Sequence, residues 1–109
     1  MYSNGENKIG CVGEYDVVFP FKSMNFDIVP VTDEDMAFNA VKEFVDKNYA
    51  VILVQEKFLT AIHDLIMETY ARPIPAIVAI PGPEGSLGIA LDKVRDVIRR
   101  AVGKDLLGD

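Results

Sequence analysis

Four short apolar runs punctuate the chain, and the stretches between them place apolar residues at helical spacing. The runs are Ile9-Gly10-Cys11-Val12, Phe26-Asp27-Ile28-Val29, Val51-Ile52-Leu53-Val54 and Ala76-Ile77-Val78-Ala79-Ile80. The third and fourth are continuous and rich in β-branched residues, without alternation. That pattern belongs to strands buried on both faces of a parallel sheet. The second run carries Asp27 inside it and reads as an edge strand. Residues 33–47 read as a helix with Ala37, Ala40, Val41, Phe44 and Val45 at i, i+3, i+4, i+7 and i+8. Thr32 and Asp35 have the spacing of a capping box at its start. Residues 57–70 repeat the pattern with Phe58, Leu59, Ile62, Leu65, Ile66 and Thr69 on one face, closed by Pro73 and Pro75. Residues 89–102 give a last helix with the stripe Ala90, Val94, Val97, Ile98 and Ala101. A first helix over 16–24 is short and irregular, with Asp16 as its cap and Pro20 interrupting it.

The order β-α-β-α-β-α-β-α, with short connections and right-handed crossovers, predicts a small α/β fold. It is doubly wound, Rossmann-like or receiver-like, with a four-stranded parallel sheet and helices on both faces. One domain is expected over residues 8–107. Met1 to Asn7 reads as a flexible extension without a signal-peptide core, and residues 81–88 as a Gly/Pro loop before the last helix.

Composition narrows the function. The chain has 109 residues, 50% hydrophobic and 26% charged, a composition of folded rather than disordered chains. No apolar run approaches the roughly 20 residues needed to cross a bilayer. The single Cys11 has no partner for an internal disulfide, as suits a reducing compartment. The net charge of −6 is a poor balance for holding nucleic acid. Its distribution is uneven, because residues 1–91 carry net −7 and residues 92–104 carry net +3. Lys93, Arg95, Arg99, Arg100 and Lys104 therefore mark the C-terminal segment as the first place to look for a partner.

Ligands of doubly wound sheets sit beyond the carboxyl ends of the strands, so candidate chemistry is sought there. After the first strand, Gly10 and Gly13 lack the G-x-G-x-x-G spacing of a dinucleotide loop, and Glu14 and Asp16 would repel a phosphate. Receiver domains need an aspartate at the end of the third strand, where this chain has Gln55 and Glu56. Sugar-phosphotransferase components use a thiolate beyond the first strand. Cys11 instead lies inside an apolar strand with acidic neighbours and reads as a structural cysteine. The loop Pro81-Gly82-Pro83-Glu84-Gly85-Ser86-Leu87-Gly88 has no lysine for phosphate, contains Glu84, and reads as a shaped connection or hinge. Asp33-Glu34-Asp35 suits the positive end of a helix dipole, and the further ligands of a metal site are not placed by the sequence. His63 falls on the polar face of its helix and reads as a surface residue. No paired base and nucleophile emerges, so no catalytic residue, metal or cofactor is expected and the chain reads as a binding module.

Lys8-Ile9-Gly10-Cys11-Val12-Gly13, then Pro20-Phe21-Lys22 and Tyr49-Ala50-Val51-Ile52-Leu53-Val54, form an ordered set with Pro75-Ala76-Ile77-Val78-Ala79-Ile80-Pro81, Gly82-Pro83-Glu84-Gly85-Ser86 and Ala101-Val102-Gly103-Lys104-Asp105-Leu106. Through this set, from about Lys8 to Leu107, the chain resembles the F subunit of the V-type and A-type rotary ATPases. The resemblance implies a non-catalytic subunit of the central stalk, on the cytoplasmic side of a proton- or sodium-translocating membrane complex. It implies binding to the long coiled coil of the D subunit, the shaft of that stalk, and through it to the catalytic head and membrane rotor.

The two readings meet on the last helix, whose apolar stripe and basic flank suit docking on a helical partner. Val94, Ile98 and Val102 are expected to supply apolar contact, and Arg95 and Arg99 to pair with partner carboxylates or carbonyls. The same stripe could instead cover the sheet, and one helix could do both with different faces. Phe21 and Lys22 are a second contact candidate. The alternative function is a phosphotransfer or receiver-type signalling domain; a further rival is a nucleotide-binding regulatory domain.

Overall fold

The computed structural model describes residues 8–82. Within them, strands β1 (Ile9–Gly13), β2 (Asp27–Pro30), β3 (Val51–Gln55) and β4 (Ala76–Ile80) form one parallel sheet in the order β2-β1-β3-β4. Cys11 pairs with Ile28 on one side and Leu53 on the other, which sets the register. The doubly wound expectation therefore holds. The chain moves one way from β1 to β2 and the other way from β2 to β3 and on to β4. Right-handed crossovers then put the β1–β2 connection on one face, and the two later connections on the other.

Packing follows that division. On one face Val12, Ile52 and Val54 meet Ala37, Val41, Phe44 and Leu65. On the other, Ile9, Cys11, Val51 and Leu53 meet Val17, Val18, Phe21 and Phe26. Successive strand residues alternate between the two clusters, as the pleat requires. Gly10 has a local reason to lack a side chain, since a Cβ there would lie 2.6 Å from the Phe44 ring.

The edges differ from the centre. β1 and β3 are buried along their whole length, whereas Ala76–Ala79 of β4 are half-buried and only Ile80 is buried. The expectation that β4 is buried like β3 is corrected: among the described residues it has a hydrogen-bonded neighbour on one side only. β2 is the other edge strand, as its Asp27 suggested. Pro30, without an N–H, ends it where no strand among the described residues lies outside it.

The helices follow the apolar stripes, with three changes at their ends. α1 (Tyr15–Val18) runs straight into a 3-10 helix, Phe19–Met24. Glu14, not Asp16, occupies its cap position; the helix is short and irregular as expected, its α winding ending at Val18 and Pro20 sitting in the first turn of the 3-10 segment, where no N–H is needed. α2 (Glu34–Asp46) is capped by Asp33, whose carboxylate accepts from the Met36 N–H at 2.9 Å. The capping box expected of Thr32 and Asp35 does not form; the Thr32 hydroxyl donates to Met36 Sδ instead. The predicted helix over 57–70 divides into 3-10 turns Glu56–Phe58 and Thr60–Ile62, followed by α3 (His63–Thr69). No side chain caps any of the three. Their leading turns close with short bonds such as Leu59 N–H to Glu56 O and Ile62 N–H to Leu59 O, which tighten the winding. Phe58, Ile62 and Leu65 still reach the core.

Candidate functional site

The point at which the connections diverge lies between the carboxyl ends of β1 and β3, where doubly wound folds place their ligands. Here that corner is closed by a side chain. Gln55, 2% exposed, accepts from the Glu14 N–H at 2.8 Å and donates to the Glu14 carboxylate at 3.0 Å. Lys57 reaches the second Glu14 oxygen at 3.2 Å. Gly13 permits this closure, because a Cβ on it would come within 2.9 Å of the Gln55 Cβ. The hydrogen bond from Gln55, then that from Lys57, hold the Glu14 carboxyl below its ordinary range.

A phosphate approaching this corner meets a carboxylate, and the Glu14 N–H that would bind it is already taken. The terminal residue of β3, where receiver chemistry needs a carboxylate nucleophile, is an amide. Cys11 is fully buried, and burial pushes its thiol up to about 12, so it holds its proton through the neutral range. His63 is exposed at the start of α3, as its place on the polar face suggested. Among the described residues no three His, Cys, Asp or Glu side chains gather as a metal-ion site, and no helix is long and apolar enough to cross a membrane.

The residues expected to touch a partner separate into two groups. Val94, Arg95, Ile98, Arg99 and Val102 lie outside the described residues, as do residues 83–88 of the Gly/Pro loop. Phe21 and Lys22 lie next to each other but face opposite ways. Phe21 is 1% exposed and stacks on Phe26 with ring centroids 6.0 Å apart, so it fastens the 3-10 segment to the sheet. Lys22 is exposed. The outward rings of this segment are Tyr15 and Phe19, 5.1 Å apart between centroids. A signal for them was present: Tyr15, Phe19 and Phe21 at spacings of four and two do not share one helical face.

Two shallow grooves are lined by described residues. One, of about 430 Å³, runs from Thr32 and the acidic start of α2 to Lys57 and Phe58. The other, of about 540 Å³, follows β4 and α3 past Ile66, Tyr70, Ile77 and Val78.

The chain is similar to known proteins along most of its length. A family model described as ATP synthase (F/14-kDa) subunit matches residues 9–98. A protein of Clostridium perfringens, named as the F subunit of a V-type ATP synthase, is 36% identical over 101 residues, covering 92% of this chain and 95% of the relative. Its namesake in Clostridium botulinum (strain Eklund 17B / Type B) is 33% identical over 100 residues, 92% of this chain and 97% of its own. The F subunit of an A-type ATP synthase from Methanosphaera stadtmanae is 29% identical over 79 residues, or 72% of this chain and 74% of the relative.

Proposed function

This chain belongs to the ATP synthase (F/14-kDa) subunit family, and we propose that it is a non-catalytic central-stalk subunit of a V-type or A-type rotary ATPase. It binds the coiled coil of the D subunit, turns with that shaft, and so supports or regulates rotation-coupled ATP hydrolysis or synthesis. Its place is peripheral to the membrane, on the cytoplasmic side. The observation that carries this reading is the closure of the ligand corner by Gln55 on Glu14. A fold that usually works through that corner has filled it, which leaves the outer surface as the working part.

A rotor subunit needs an interface that does not slip, of roughly 1,200–2,000 Å² with aromatic or arginine anchors. Val94, Ile98 and Val102 supply apolar contact from the C-terminal segment, and Arg95 and Arg99 supply charged contact. Lys22 adds a contact from the first crossover, while Phe21 holds that crossover in place from inside. Gel filtration of the purified chain with the recombinant coiled-coil shaft subunit of the same ATPase tests the proposal. Co-elution as a stoichiometric complex is expected. Separate elution at micromolar concentration contradicts it.

A further inference from the structure

We draw no further inference here: the strongest candidate, the shallow apolar groove that follows the half-buried edge strand β4 and α3 past Ile66, Tyr70, Ile77 and Val78, carries nothing because nothing in the structure shows what covers it.

Discussion

Gln55 and Glu14, 41 residues apart in sequence, hold each other by two hydrogen bonds, one to the Glu14 backbone N–H at 2.8 Å and one to its carboxylate at 3.0 Å. A side-chain amide is suited to this because it accepts and donates at once. The pair ties the carboxyl end of β3 to the start of α1. It also occupies the point from which a ligand in such a fold would be gripped.

Replacing Gln55 with Leu keeps the bulk and removes both bonds. The backbone N–H of residue 14 is then left without its acceptor, which costs about 1–3 kcal/mol. A lower urea midpoint with an unchanged slope is expected. A midpoint equal to wild type contradicts the importance of the clasp.

Glu14 also sets a pH dependence. Its carboxyl is held below the ordinary value of 4.5 in the folded chain, first by Gln55 and then by Lys57. A lowered folded value means the stabilisation is complete above the unfolded carboxyl's titration and is lost as pH falls through the folded one. The stability difference between wild type and Glu14→Gln should therefore shrink on going from neutral pH to below 4.5. Urea midpoints for both proteins across that range decide it; a constant difference contradicts the assignment.

Gly10 and Phe44 form a steric pair between β1 and α2. A Cβ at position 10 would lie 2.6 Å from two ring atoms of Phe44, so Gly10→Ala forces α2 away from β1 and costs about 1–3 kcal/mol. Phe44→Leu removes part of the ring and should recover some of that loss in the double variant. The coupling is read from a double-mutant cycle, and strict additivity contradicts the contact.

Cys11 should behave as a masked thiol. Burial pushes it up to about 12 from an ordinary 9.0, so the native chain gives little thiolate at pH 8. A thiol reagent should react only as fast as the chain opens, and at full speed in denaturant. The sign of the linkage is opposite to that of Glu14: the folded value is raised, so this contribution is complete below the unfolded thiol's titration and is lost as pH rises through the folded one. Rapid labelling of the native protein contradicts the burial.

What could be read from the sequence was what local pattern controls. Continuous β-branched runs marked β3 and β4 as strands, Asp27 marked β2 as an edge, and the stripe from Ala37 to Val45 marked the buried side of α2. The helix ends were less legible. Asp33 rather than Thr32 caps α2, because the helix starts at Glu34, one residue later than the Thr32–Asp35 spacing implies, and its third N–H is then that of Met36. The first crossover was legible in part: Phe21 follows Val17 by four and Val18 by three, so it faces inward with them while Phe19 stays outside, although the winding changes from α to 3-10 after Val18. The Gln55–Glu14 clasp carries no local signal at all, since it exists only once β1 and β3 lie side by side. That position 55 offers no phosphoacceptor was visible; that its side chain fills the corner was not.

The most direct measurement is one NMR titration of the isotope-labelled chain, first with millimolar Mg-ATP and then with the coiled-coil shaft subunit. If the ligand corner is closed and the surface does the work, nucleotide leaves the amide signals of Gly13, Glu14 and Gln55 in place, and the shaft subunit then shifts or broadens that of Lys22. A saturable response of Gly13, Glu14 and Gln55 to nucleotide, with no response of the first crossover to the shaft subunit, contradicts both halves of that statement.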